Sequence, residues 1–246
     1  MKKLLWMVML LLAVPAWAQA AQAPQAVPAK DAGPKDMVTT ARDAGMQVLS
    51  GDAKFNPSDP ENLLYIDLST GGRVTILMRP DFAPKHVERI KLLARRGFYD
   101  GLLFHRVIDG FMAQTGDPKG TGQGGSELPD LKAEFNELPH VRGAVSMART
   151  DKPDTANSQF FIVFDPVLKL DRSYTVWGRV IDGMQWVDAI ARGEPPANPS
   201  RMLQVSVAAD RKPPPDFAAA AAKDDAAARD ALAAEAAKLG AAPPKQ

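Results

Sequence analysis

Eight short runs of apolar and β-branched residues, broken by turns and loops and by only two helical patterns, set the strongest limit on what this chain can fold into. The runs lie at 62–68, 73–78, 102–108, 111–115, 144–148, 160–164, 174–180 and 203–207, and Ser69-Thr70-Gly71-Gly72 between the first two reads as a hairpin turn. A parallel sheet needs a crossover between strand pairs, usually a helix, because the chain must return to the same end of the sheet. Few segments here can supply one. Pro84 suits a first helical turn, Val87, Ile90 and Ala94 share a face behind it, and Gly97 is a stop. Residues 184–192, with Val187 and Ile190 on one side and Gly193 behind, form the second helical pattern. The arrangement predicts a mainly β fold, an antiparallel barrel or sandwich.

The two ends have a different composition. Lys2 and Lys3 precede an apolar stretch from Leu4 to Val14, followed by Ala16, Ala18 and Ala20. That order reads as a secretory signal peptide over residues 1–20, and the stretch falls short of the roughly 20 residues a membrane-spanning helix needs. The expected location is the periplasm, with no stable membrane insertion once the signal is removed. Residues 21–60 form an Ala/Pro/Gln-rich linker and extension with too little apolar surface early on to order itself. Residues 61–212 suit one domain, and 213–246 form an Ala-rich tail that Pro213-Pro214-Pro215 sets apart and Asp216 is placed to cap as a helix. Its large apolar residues, Phe217, Leu232 and Leu239, are too few for a core-facing stripe, so the expectation is a solvated tail.

Composition removes several chemistries. With no cysteine among 246 residues there is no thiol nucleophile, disulfide framework or thiolate metal site, and the three histidines, His86, His105 and His140, have no ligand spacing. A formal charge of +1 gives no support to nucleic-acid binding by a globally basic surface. Strand alternation points His105 into the interior, while His86 reads as helix surface and His140 as loop. Gly120-x-Gly122-x-x-Gly125 fits the dinucleotide spacing, but Ser126-Glu127-Leu128-Pro129 follows it in place of an apolar helix, so it reads as a loop. Ser146 and Ser158 lie outside any nucleophile-elbow pattern.

The most informative segment is Phe104-His105-Arg106-Val107-Ile108-Asp109-Gly110-Phe111-Met112-Ala113-Gln114-Thr115-Gly116-Asp117. It resembles the signature of the cyclophilins, the β-barrel peptidyl-prolyl cis–trans isomerases. The likeness continues through the glycine-rich 117–125, through 143–148 with Ser158-Gln159-Phe160-Phe161-Ile162, and through Leu170-Asp171 with 174–180, in the same order and over nearly the whole middle domain. The resemblance implies a closed eight-stranded antiparallel barrel capped by two helices. It also implies a groove on the outer face holding Arg106, Phe111, Met112, Gln114, Ala148, Arg149, Gln159, Phe161, Leu170 and Tyr174. The implied partners are proline-containing unfolded or flexible polypeptides, bound by a monomer that needs no cofactor and no metal.

These residue types suit that chemistry. An Xaa-Pro bond has partial double-bond character and a rotation barrier of about 18–20 kcal/mol, so a catalyst must favour the twisted amide. In the twisted state the prolyl nitrogen loses conjugation and accepts a hydrogen bond more readily. Arg106 is the candidate donor, because its rigid guanidinium fork strengthens an interaction that forms only as the bond turns. Phe111, Met112, Phe161 and Leu170 supply an apolar cup for the proline ring, and Gln114 with backbone near Ala148 and Arg149 anchors the peptide. Three positions depart from the best-known members. Lys169 replaces a groove-rim tryptophan, which takes away one basis for tight cyclosporin binding and leaves cyclosporin sensitivity open; Tyr174 replaces a histidine; Arg149 replaces an asparagine. Two rival readings are a groove that binds chains without turnover, and a tail that docks on an envelope partner.

Overall fold

The computed structural model describes residues 55–240, so the signal segment and most of the linker lie outside the described residues. Eight strands form one antiparallel sheet: β1 (Leu63–Leu68), β2 (Gly72–Met78), β3 (Arg106–Ile108), β4 (Met112–Thr115), β5 (Ala144–Met147), β6 (Phe160–Val163), β7 (Val176–Asp182) and β8 (Met202–Val207). Their order across the sheet is β3-β4-β6-β5-β7-β2-β1-β8. The expected hairpin is present, with Leu64 opposite Ile76 and Leu68 opposite Gly72.

The closed barrel is not. β3 and β8 end the ladder and share no strand pairing, so the sheet is an open half-barrel. The run expected as a strand over 102–108 pairs as one only at Arg106–Ile108. Ahead of it the chain makes separate bonds to the segment leading into β8: Phe104 donates to the Ser200 carbonyl (2.9 Å), and Met202, the first residue of β8, to that of Leu102 (3.0 Å). That segment carries Pro195, Pro196 and Pro199, and a proline has no N–H to continue a ladder.

Alternation along the strands builds two apolar clusters. Leu64, Ile66, Val74 and Ile76 of β1 and β2 join Phe160, Ile162 and Trp177 in the main core, where the Tyr99 and Trp177 rings each pack in a T-shape with Phe160, with centroids 5.6 and 5.5 Å away. Met112, Ala144, Phe161, Val163 and Val176 point the other way and form a second cluster, which Phe111, Leu170 and Tyr174 cover in part.

Helix α1 (Pro84–Arg95) packs Val87, Ile90, Leu93 and Ala94 into the main core. Its N-cap residue, Ala83, offers no side-chain bond. Glu134 caps it from a distant loop, accepting from the backbone of Lys85 (3.1 Å) and His86 (3.0 Å) and contacting His86 Nδ1 at 2.6 Å. That loop buries His86 completely, against the expectation of a surface position. The second helix, α2, is Met184–Asp188, shorter than its sequence pattern. Beyond it Arg192 turns out to pair with Asp109 (3.0 Å) and to lie over the Phe164 ring. The tail is helical as α3 (Phe217–Gly240), with Asp216 accepting from the Ala219 N–H at 3.0 Å, and Arg201 ahead of β8 pairs with Asp224. Among the described residues no helix is long and apolar enough to cross a membrane.

Candidate active site

Strand register brings the sequence-predicted residues onto one face. Arg106 of β3 lies opposite Gln114 of β4, Gln114 opposite Phe161 of β6, and Phe161 opposite Ser146 of β5. Residues directly opposite in an antiparallel ladder project to the same side. Two residues along β4, Met112 joins that face, and the β3–β4 turn delivers Phe111, held by bonds from its N–H to Ile108 (3.1 Å) and from Phe164 to its carbonyl (2.8 Å).

A cavity of about 260 Å³ opens there. Arg106 and Gln114 line its polar side and Phe111, Met112, Phe161 and Leu170 its apolar side, with Ala148, Arg149 and Tyr174 completing the wall. Of the ten positions the sequence nominated, only Gln159 lies outside this cavity. It lines a larger adjoining one, of about 460 Å³, together with the glycine-rich loop. Gln159 also connects the two, since Gln114 Nε2 donates to its Oε1 (2.8 Å) while its own Nε2 donates to the carbonyls of Gly122 (3.0 Å) and Gly124 (2.8 Å).

Arg106 is held at two atoms. Its Nε donates to Glu194 Oε2 at 2.7 Å and its Nη1 reaches Gln114 Oε1 at 3.4 Å. The ion pair is open to solvent, with 43% of the Arg106 side chain and 51% of the Glu194 side chain exposed. The guanidinium is therefore steered and not sequestered. Glu194 was not legible in the sequence; it lies 88 residues away in a proline-rich loop with no motif.

The Arg149 side chain is engaged on the protein's own backbone. Its guanidinium donates to the carbonyls of Ser173 (2.9 Å) and Thr150 (2.8 Å) and lies 4.4 Å from the centre of the Tyr174 ring. With its donors spent on backbone it acts as a fixed wall between the two cavities. The Ala148 N–H is also taken, by the Gln159 carbonyl (2.9 Å). A peptide bond to this strand end must use the Ala148 carbonyl or the Arg149 amide.

A Ser-His-Asp constellation lies beneath the groove. Asp171 Oδ1 meets His140 Nδ1 at 2.8 Å, and His140 Nε2 meets Ser146 Oγ at 3.1 Å. Ser146 and His140 are fully buried and the Ser146 hydroxyl also contacts the Thr175 carbonyl (3.0 Å), so no substrate reaches it. The network pins the 168–174 segment that carries Leu170 and Tyr174. Burial pushes the His140 imidazole below its ordinary range, and Asp171 opposes this only in part. Burial likewise lowers His105, which lies inside as expected although it precedes β3.

The glycine-rich loop is wrapped around Asp117, whose carboxylate accepts from the backbone of Lys119 (2.8 Å), Thr121 (2.9 Å) and Gly122 (2.7 Å). Burial raises this carboxyl, yet the backbone donors outweigh it and leave its pKa lowered. Donors that face Asp117 are not free for a phosphate, which removes the dinucleotide reading. Gly124 is required, because a Cβ there would lie 1.9 Å from Asp117 Oδ1. Among the described residues no cluster of acidic and histidine side chains could hold a metal ion.

Residues 65–208 match the family model described as cyclophilin type peptidyl-prolyl cis-trans isomerase/CLD. The chain belongs to the cyclophilin family. It is accordingly an isomerase of Xaa-Pro bonds, acting on proline-containing peptides. This cyclophilin is 47% identical over 171 residues to a probable peptidyl-prolyl cis-trans isomerase of Brucella suis, across 63% of this chain and 87% of the relative. To peptidyl-prolyl cis-trans isomerase B of Bacillus subtilis it is 42% identical over 132 residues, across 53% of this chain and 91% of the relative. The crystal structure of cyclophilin AquaCyp293 from Hirschia baltica matches with a TM-score of 0.58 at 31% identity, covering 63% of this chain and 77% of that one. A Cryptosporidium parvum cyclophilin solved in the presence of the dipeptide Ala-Pro matches with a TM-score of 0.56 at 28% identity, covering 59% of this chain and 98% of that one.

Proposed function

We propose that this cyclophilin assists the folding of exported proteins in the periplasm, with Arg106 as the donor that stabilises the half-turned prolyl amide. The observation that carries the mechanism is the convergence of a steered guanidinium and an apolar cup in one 260 Å³ cavity, a volume suited to a proline and its neighbours. The proline ring seats against Phe111, Met112, Phe161 and Leu170. That contact serves cis and trans alike and sets affinity.

Arg106 Nη2, which neither Glu194 nor Gln114 takes, bonds the pyramidal nitrogen and so favours the transition state over both planar forms. A 10⁵-fold acceleration needs about 7 kcal/mol of such differential stabilisation, within reach of a charged hydrogen bond made where water is displaced. Backbone at Ala148 and Arg149 holds one side of the bond while the other rotates, and nothing covalent forms.

The export role rests on the Lys2-Lys3 start, the apolar stretch and the alanines of residues 1–20, and on the slowness of prolyl isomerisation, which limits folding wherever it is uncatalysed. Cell fractionation with N-terminal sequencing tests the location: a mature chain beginning near residue 21 in the periplasmic fraction is expected, and an uncut cytoplasmic chain contradicts it. Refolding of an exported protein with a prolyl-limited slow phase tests the role. The mature enzyme should accelerate that phase and Arg106→Ala should not; a slow phase untouched by the wild type removes the proposal.

A further inference from the structure

We infer that Glu194 is a positioning residue for the reaction: it fixes the plane of the Arg106 guanidinium so that Nη2 addresses the groove. The inference rests on the reading of Arg106 as the donor.

Three consecutive residues dock across the β3 hairpin. Arg192 Nε bonds Asp109 Oδ1 at 3.0 Å, Gly193 and Val107 exchange both backbone bonds at 2.8 Å, and Glu194 Oε2 accepts from Arg106 Nε at 2.7 Å. The reciprocal Gly193–Val107 pair fixes the backbone one residue before Glu194 beside the strand that carries Arg106. Gly193 is needed for this, since φ there is +144° and a Cβ would lie 2.6 Å from Pro196 Cα. The carboxylate is thus brought to Nε by main-chain pairing and not by a side chain free to wander.

Stability does not account for the contact. Both side chains are about half exposed, and ion pairs of that kind contribute little. Its consequence is angular. Arginine has several rotatable bonds, and one bond from Nη1 to Gln114, at 3.4 Å, leaves the plane free to swing. A second bond at Nε, on another edge of the fork, removes that freedom. Gln114 is itself held by Gln159, and Gln159 by the carbonyls of Gly122 and Gly124, so the guanidinium is tied to the proline-rich loop on one side and the glycine-rich loop on the other.

The test measures kcat and KM for cis–trans exchange of a short Ala-Pro peptide by NMR with the full mature enzyme, for wild type, Glu194→Ala, Glu194→Gln, Arg106→Ala and the Arg106→Ala/Glu194→Ala double variant. Glu194→Ala should lower kcat about tenfold with KM unchanged, since a misplaced group loses transition-state contact and not ground-state affinity. Glu194→Gln keeps an oxygen acceptor for Nε and should recover most of the rate. The double variant should be no slower than Arg106→Ala alone.

An unchanged kcat in Glu194→Ala overturns the inference. So does a Glu194→Gln variant as slow as Glu194→Ala, or a further loss from Glu194→Ala in the Arg106→Ala background. If Arg106→Ala itself keeps the wild-type rate, the reading of Arg106 fails first, and that result is distinct from all the others.

Discussion

Phe160 and Phe161 are neighbours in sequence and do opposite things. Phe160 packs against both Tyr99 and Trp177 in the main core, while Phe161 faces the groove with its ring 5.9 Å from that of Tyr174. Period-two alternation makes this division readable from sequence, because one register fixes the face of every residue on the strand. Substitution separates the two roles. Phe160→Ala should destabilise the fold by about 3–5 kcal/mol in a denaturant titration. Phe161→Ala opens the cup, so the KM for a proline peptide should rise well beyond any change in kcat. Equal kinetic effects from the two would contradict the assignment. What alternation cannot supply is a partner from elsewhere in the chain. Glu194 beside Arg106, Glu134 beside His86 and Asp171 beside His140 come from loops 88, 48 and 31 residues away, and loops carry no periodicity.

Among the elements, α1 illustrates both sides of this. Pro84, the apolar face and the Gly97 stop were legible, but its N-terminal donors are satisfied by Glu134, which no local capping pattern announces. Glu134→Ala should therefore reduce stability by about 1–2 kcal/mol, read as a lowered urea midpoint with the slope unchanged. β3 shows the limit of strand patterns: residues 102–105 have strand composition, yet their partner segment is interrupted by prolines, and the sheet stays open at that edge. The glycine-rich loop depends on the Asp117 carboxylate. Gly124→Ala should break its wrapping, loosen Gln159 and depress turnover, whereas substitution at Gly101, where a Cβ would meet nothing, should leave catalysis intact although it strains the backbone.

Across the whole molecule, the buried histidines link stability to pH. Burial lowers the proton affinity of His86, His105 and His140, with Glu134, Asp117 and Asp171 offsetting it in part. Each therefore binds a proton less readily folded than unfolded. Their contribution is fully present above the ordinary value of 6.5 and is lost as pH falls through it towards the lower folded values. The Tm should be flat from pH 8 to 7 and drop by several degrees by about pH 5, and His140→Asn should make that drop shallower. A Tm that rises on acidification over this range would contradict the signs. The residues that line the groove all precede the α3 tail, so deleting residues 216–246 should leave peptide turnover unchanged.

Arg106 is proposed to act on the turning bond and not on the bound peptide. NMR exchange on a single Xaa-Pro peptide at saturating concentration decides this, because it reads the interconversion rate on the enzyme apart from affinity. Arg106→Ala should slow that rate by about 10²–10³-fold while the Kd of each isomer stays within a small factor of wild type. An unaltered on-enzyme rate, or a loss confined to Kd, would contradict the account.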